Sequence, residues 1–422
     1  MPKDQSFTTV RALMSVLANA MNMVNSDAEN HHEQTAYLAY HIGTELGLDT
    51  EALRLLIISA LLHDVGFVVV ANKWTTLDDI EAHRREISVI GADLLRDLKP
   101  FAPIADIIEI CQNNYMETEE YLISHGLPQQ PFLNITEAIH IADYISTIWH
   151  GSDSILEQAE SVRATVAACR GSHFSDRAVD AFLRVAKKEY IWMDFALNPT
   201  FLKFFAGDMG KVSLEQTFDV TRLMSRLIDF RSPFTAMHSA GVAASARELA
   251  NLYGMSEENC LKMEIAGNLH DIGKLRVPNE ILEKPGKLTD REFRIIKKHP
   301  YYTRLILMNL RGLEDIIAWA SLHHEKLNGS GYPFHFTEDM LEIGAQVMAV
   351  ADIFSAIAED RPYRKPMTRE QAMKVLWENV ERGDISREIV ALLDKNYDRV
   401  NTARMRKSHQ EGKRYYEAHD LS

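Results

Sequence analysis

Apolar residues recur every three or four positions through long stretches of this chain, as at Leu38, Ile42 and Leu46 and again at Val242, Leu249 and Leu252. That spacing lays a stripe along one face of an α-helix, whereas the alternation of a half-buried strand is scarce. Start signals agree with it. Thr289-Asp290-Arg291-Glu292 and Thr368-Arg369-Glu370-Gln371 read as capping boxes ahead of apolar-periodic runs, and Ser213-Leu214-Glu215-Gln216 opens a third such segment toward Phe230. Pro and Gly gather between segments, at Lys284-Pro285-Gly286-Lys287 and from Gly329 to Pro333. The pattern predicts an all-α protein.

The chain also repeats itself. Leu61-Leu62-His63-Asp64-Val65-Gly66 resembles Asn268-Leu269-His270-Asp271-Ile272-Gly273, and Ile141-Ala142-Asp143-Tyr144-Ile145-Ser146 resembles Val350-Ala351-Asp352-Ile353-Phe354-Ser355. His63 and Asp143 lie 80 residues apart, His270 and Asp352 82. Stepping 32 residues back from each His-Asp pair lands on another histidine, His31 and His238. Three landmarks at nearly constant spacing indicate a duplicated domain. The break in helical pattern at Asn198-Pro199 and from Gly207 to Gly210 sets the expected boundaries: a first domain over 1–197, a linker over 198–212 and a second domain over 213–422.

Composition narrows the function. At 422 residues two domains are the better expectation, and 46% hydrophobic with 25% charged residues is ordinary for a globular protein. A net charge of −14 argues against binding duplex nucleic acid, which needs a broad cationic face. A small anionic substrate stays open, provided that metals or local Lys and Arg reverse the field at the site. Cys111, Cys169 and Cys260 form neither a disulfide framework nor a thiolate zinc site. The most apolar stretch, Leu55 to Ala71, carries His63 and Asp64 and is too short to span a bilayer; without a signal pattern, a cytoplasmic location is expected. The basic tail from Arg404 to Arg414 reads as a solvated helix end, and Met14, Met21 and Phe132 as core. Phe201 to Phe205 reads as an interdomain or dimer contact, which leaves a homodimer open.

The histidines carry the chemistry. On a helix, adjacent His270 and Asp271 point roughly 100° apart, so both reach one ion only if it sits between them. Alone the pair means little. It has company in His238, His299, the pair His323-His324, and Asp352 within the apolar run Val347 to Ala351. A carboxylate in such a helix is expected to be buried and to need a partner. Five imidazoles and two carboxylates give mixed N/O donors that suit iron, manganese or zinc. A carboxylate can bridge two ions where an imidazole nitrogen binds one. Seven ligands with one bridging carboxylate suffice for two divalent ions, and a pair roughly 3.5–4 Å apart suits in-line displacement at phosphorus.

With these residues in hand, the second half resembles the HD-GYP branch of the HD-domain metal-dependent phosphohydrolases. The likeness runs over His238, His270-Asp271-Ile272-Gly273-Lys274, His299-Pro300, His323-His324-Glu325, Gly329-Ser330-Gly331-Tyr332-Pro333, Asp352 and Arg361-Pro362-Tyr363-Arg364. The resemblance implies two tandem helical HD-type domains and hydrolysis of 3′,5′-linked cyclic dinucleotides, cyclic di-GMP or 3′,3′-cyclic GMP-AMP. It implies one ion, iron or manganese, on His238, His270, Asp271 and Asp352, and another on Asp271, His299, His323 and His324. Lys274, a turn beyond His270, would hold the scissile phosphate or protonate the leaving oxygen. Arg361 and Arg364 resemble residues that clamp the second phosphate, and Tyr332 and Pro333 would line the cleft. Members with three metals carry a glutamate four residues before the first histidine; Phe234 stands there, so two ions are expected.

The first half resembles a degenerate copy, regulatory or dimerising. His63, Asp64, Asp143 and either His31 or His32 persist, while Cys111-Gln112 occupies the paired-histidine position and Phe67 that of Lys274. His83 is the candidate counterpart of His299, at a different spacing. Two other readings are a non-hydrolytic cyclic-dinucleotide receptor or adaptor, and a general HD-type nucleotidase; the Gly-Tyr-Pro loop and the Arg361/Arg364 pair disfavour the latter.

Overall fold

The computed structural model describes residues 7–24, 30–70, 82–96, 101–149, 154–197, 211–229, 233–282, 284, 286–359 and 365–419. Helices account for most of them. The one sheet among the described residues has two strands, Phe7–Thr9 antiparallel to Lys211–Ser213. No helix of the described residues is long and apolar enough to cross a membrane.

Two compact units make up the chain: Leu17–Gly210, and Lys211–Ser422 joined by Met1–Val16. The sequence pattern predicts one domain over 1–197, yet the first sixteen residues go with the second unit. The reason is backbone pairing, with Phe7, Thr8 and Thr9 in register with Ser213, Val212 and Lys211. Short polar strands of this kind carry no periodic signal. Of the expected linker 198–212, residues 198–210 lie outside the described residues, as does the apolar segment from Phe201 to Phe205.

The first unit is built from helices that include His31–Glu45, Thr50–Leu62, Arg84–Arg96, Ala102–Ile110 and Gln129–Ile148. Leu38, Ile42, Leu56, Ile57, Ile107, Ile108 and Ile139 close its core. The second contains Leu214–Asp229, Pro233–Tyr253, Glu257–Leu269, His299–Leu307, Glu314–Ser321, Ile343–Ala358, Arg369–Glu381 and Tyr397–His419 among others. Both capping boxes read from sequence form: Thr289 and Glu292 exchange side-chain and backbone bonds, as do Thr368 and Gln371. Ser213 and Gln216 do the same ahead of Leu214–Asp229.

One helix organises the second unit. Twelve of the sixteen residues of Ile343–Ala358 are buried, so it is wrapped on nearly every side, and its carboxylate at Asp352 is carried into the interior. The His-Asp pair sits differently from a helix interior. Glu257–Leu269 stops one residue before it, His270 caps the helix, and Asp271 adopts φ −97°, ψ 3° before the 3₁₀ turn Ile272–Arg276. A side chain in that bridge conformation escapes the helical fan, which frees Asp271 to face several elements at once.

The glycine after the pair has a steric reason. A Cβ on Gly273 would stand 1.9 Å from the carbonyl oxygen of His299, so only glycine lets the start of His299–Leu307 lie against the turn. Thr303 locks that contact, accepting from the Gly273 N–H at 3.0 Å and donating to the His270 carbonyl at 2.9 Å. The first unit repeats the arrangement, with His63 capping Thr50–Leu62 and a Cβ on Gly66 falling 2.0 Å from the Ile87 carbonyl. Packing therefore equates His299 with Ile87, not with His83; a shorter connection brings the equivalent helix in five residues sooner.

Candidate metal centre

In the second unit His238 comes from the helix Pro233–Tyr253 and His270 from the cap of Glu257–Leu269. His299 opens His299–Leu307, His323 and His324 follow Glu314–Ser321, and Asp352 lies in Ile343–Ala358. Three triads share volumes small enough for one ion each: His238, His270 and Asp352; His270, Asp271 and His323; and His299, His323 and His324.

Asp271 joins these groups. Its Oδ2 lies 3.3 Å from His270 Nε2 and its Oδ1 3.3 Å from His299 Nε2, so each oxygen faces a different histidine cluster. On one side Asp352 Oδ1 stands 3.2 Å from His238 Nε2 and 3.9 Å from His270 Nε2. On the other, His299 Nε2 and His323 Nε2 are 3.2 Å apart, and the His299 and His324 rings meet edge to face at 5.1 Å.

The ring orientations are fixed from behind. His270, His299 and His323 each set Nδ1 against the carbonyl three residues back, at 2.7, 2.8 and 2.7 Å. A ring donating through Nδ1 keeps the lone pair on Nε2, the form that ligates a metal. All three Nε2 atoms point into the same buried space. His270 Nε2 is buried with no hydrogen-bond partner even though Asp271 Oδ2 is so near. Lone pairs of nitrogen and oxygen that face one another without pairing repel, and cations between them remove the repulsion. The donor set fits divalent ions.

Electrostatics agree with that fit. Burial opposes charge on Asp271, but positive charge at the facing His270, which an ion on its Nε2 would supply, and the Lys274 ammonium outweigh it and hold the carboxyl well below the ordinary carboxylate range. Burial, reinforced by His299, pushes His324 down to about 3; burial with His324 and His270 depresses His323 well below its usual value. Those imidazoles are neutral and ready to bind. His238 differs: burial would lower it, but Asp352 and Glu359 raise it to about 9.

Lys274 lies in the 3₁₀ turn rather than one α-helical turn beyond His270, and its Nζ reaches Asp271 Oδ2 at 2.5 Å. Arg361 and Arg364 lie outside the described residues, and nothing is described of the Phe234 side chain. The Gly-Tyr-Pro loop is mounted directly on the paired histidines. Tyr332 donates its N–H to the His324 carbonyl at 3.2 Å, and its ring faces the His324 ring at 4.8 Å with the Lys297 ammonium 4.7 Å away. Gly331 passes so near that a Cβ there would be 2.4 Å from Lys326 N. Asn328 ties the loop down through Asp384 at 2.9 Å and the Arg382 carbonyl at 3.0 Å.

The sequence reading gave three supporting residues no role. Thr303 clamps the turn after the His-Asp pair. Glu359 sets Oε2 3.3 Å from His238 Nδ1, with both side chains buried; its place seven residues after Asp352, at the end of the same helix, is the signal that could have found it. Glu325, buried beside the paired histidines, accepts the N–H groups of Phe334 at 2.7 Å and Phe336 at 3.0 Å. Glu325→Ala leaves both donors unpaired and frees the loop. A loss of ~1–3 kcal/mol in unfolding free energy is expected, with a rise in KM larger than any fall in kcat. Denaturant unfolding and steady-state kinetics check it, and unchanged KM would separate the loop from substrate binding.

Known proteins share this fold. Models of the HD domain match residues 29–148 and residues 222–389. The chain belongs to the HD-domain family, with one copy in each half. Its second copy, with the Gly331-Tyr332-Pro333 loop built onto the paired histidines, is of the HD-GYP type. A 3′3′-cGAMP-specific phosphodiesterase of Vibrio cholerae is 27% identical over 92% of this chain and 91% of its own length. A cyclic di-GMP phosphodiesterase of Pseudomonas aeruginosa is 38% identical over 33% of this chain and 34% of its own. The crystal structure of a cyclic GMP-AMP-specific phosphodiesterase of V. cholerae shares the fold, with TM-score 0.62 and 22% identity over 93% of this chain and 98% of that one.

Proposed function

We propose that residues 213–422 hydrolyse a 3′,5′-linked cyclic dinucleotide, cyclic di-GMP or 3′,3′-cyclic GMP-AMP, to the linear dinucleotide with two divalent ions, iron or manganese. The observation that carries this reading is Asp271, buried with each carboxylate oxygen aimed at a different histidine cluster. A carboxylate can serve two ions in that way, one through each oxygen.

His238, His270, Asp271 and Asp352 would hold one ion, and Asp271, His299, His323 and His324 the other. The pair supplies a water acidic enough to attack near neutral pH and positive charge against the phosphoryl oxygens. The chain's own residues do the rest. Lys274, held at Asp271, presents an ammonium beside the reacting phosphate, able to give a proton to the departing ribose oxygen. Tyr332 walls the cleft over His324, where its ring offers a stacking face for a base. Arg361 and Arg364 clamp the second, non-reacting phosphate, in keeping with an acidic protein that needs local cations to accept a dianion.

Protein purified without oxygen and loaded with manganese or iron is expected to linearise one of these two cyclic dinucleotides and to spare deoxynucleoside triphosphates. Tight binding of the dinucleotide with no turnover under any metal would replace hydrolysis with a receptor role. Turnover of the triphosphates alone would replace it with a nucleotidase.

A further inference from the structure

Beside the metal centre a cation of the second unit stands without an anion. Three lysines around the site are tied to carboxylates: Lys274 Nζ to Asp271 at 2.5 Å, Lys284 to Glu292 at 2.6 Å and Lys326 to Asp384 at 3.0 Å. Lys297 is not. Among the described residues no carboxylate lies within ion-pair distance of its ammonium. It sits instead 4.7 Å from the centre of the Tyr332 ring and 5.9 Å from that of Phe293. Cation–π attraction holds it there, weakly enough at a partly exposed site to be exchanged for a hydrogen-bond acceptor.

The short helix Asp290–Ile296 that sets Phe293 and Lys297 is fixed at both ends. It starts from the Thr289–Glu292 capping box, and Lys284 grips the same Glu292 carboxylate from outside. Lys297 closes it, its N–H donating to the Phe293 carbonyl at 2.9 Å, and two residues later His299 opens the next helix with its ring in the donor set. Phe293 and Lys297 are four residues apart and share a face. That face is turned to the Gly-Tyr-Pro loop. The Phe293 and Tyr332 rings meet at 80° with centres 6.5 Å apart, and Tyr332 lies against His324 at 4.8 Å. Outward from the paired histidines the order is Tyr332, then Phe293 with the ammonium beside both rings.

An exposed phenyl says little by itself, and Phe293 is 47% exposed. Here it forms one wall of a near-perpendicular corner whose other wall is Tyr332, with a positive charge at hand. A planar base laid on Phe293 meets the Tyr332 ring side-on and turns an edge to the ammonium. An ammonium donates and never accepts, so that edge must carry acceptors. Guanine sets O6 and N7 side by side, whereas adenine keeps N7 but places an amino donor at position 6.

We propose that Lys297 selects the base of the substrate, its ammonium donating to O6 and N7 of a guanine stacked on Phe293. This selection rests on the reading of residues 213–422 as a cyclic dinucleotide phosphodiesterase and narrows it. Cyclic di-GMP and 3′,3′-cyclic GMP-AMP each bring at least one guanine to the corner. Cyclic di-AMP brings none, and its amino group would face the ammonium donor to donor. Phe293 supplies the platform for any base; Lys297 supplies the choice between bases.

The test uses the full chain loaded with manganese and cleaving bis(p-nitrophenyl) phosphate, a diester without a base. Inhibition constants are measured for cyclic di-GMP and cyclic di-AMP as competitors. Cyclic di-GMP is expected to bind the parent roughly tenfold tighter or more. Lys297→Met keeps the stem and removes the donor, and should bring the two constants within about threefold by weakening cyclic di-GMP alone. Phe293→Ala should weaken both competitors by a similar factor, roughly fivefold or more, since stacking is indifferent to the base. Far-UV circular dichroism checks that each variant folds. A preference for guanine that survives Lys297→Met overturns the proposal. So does an equal weakening of both competitors by Lys297→Met, which would assign the ammonium to a phosphate. Equal binding of both by the parent removes base selection and leaves the phosphodiesterase reading intact. Diester cleavage that neither dinucleotide inhibits removes that reading too.

Discussion

Asp271→Ala is expected to lower turnover of the cyclic dinucleotide by at least ~10³-fold, a loss of about 4 kcal/mol in transition-state stabilisation. Removing the carboxylate takes a ligand from each of two ions at once, which no other residue of the cluster can do. It also leaves the Lys274 ammonium without its partner at 2.5 Å and two buried imidazoles facing an empty volume. Asp271→Asn separates these effects, since it keeps the volume and one oxygen but cannot bridge with equal charge. Both variants should retain fewer ions than the parent by metal analysis, with far-UV circular dichroism unchanged. Turnover within tenfold of the parent, in a variant shown to have lost an ion, would end the bridging role.

Much of this architecture is legible from residue order because the relevant signals are local. The boxes at Thr289 and Thr368 require only four consecutive residues, and each forms where the sequence places it. The histidines and aspartates are legible for another reason: the same pair recurs in both halves at matched distances from a third residue, and the structure brings the second set together. What stays hidden depends on contacts across the fold. The helix end at Leu269 is set by the approach of His299 to Gly273, 26 residues on, so no local rule reports that Asp271 leaves the helix. Glu325 stands in the motif beside the paired histidines, but its role appears only when the loop folds back to give it two N–H donors. His83 attracts attention as a histidine, yet packing hands its supposed place to Ile87, because chemistry-bearing letters do not fix where a helix begins. The strand Phe7–Thr9 is three residues long, and its partner lies about two hundred positions away.

Lys274→Met tests how the proton reaches the leaving oxygen. Methionine keeps the length and apolar stem of the side chain and removes only the ammonium. Loss of a positioned general acid costs ~10²–10⁴-fold, so a fall of that order in kcat is expected on the cyclic dinucleotide. KM and ion content should change little, because Lys274 is 23% exposed and lies on the turn beside the donor set rather than within it. The decisive comparison is bis(p-nitrophenyl) phosphate, whose leaving group departs without a proton. If Lys274 protonates the ribose oxygen, this activated diester is cleaved at nearly the parent rate. An equal loss on both substrates would instead assign the ammonium to holding the phosphoryl oxygens, where it acts whatever group departs. Parent-like turnover of the natural substrate would remove Lys274 from the chemistry and leave it as the charge that balances Asp271.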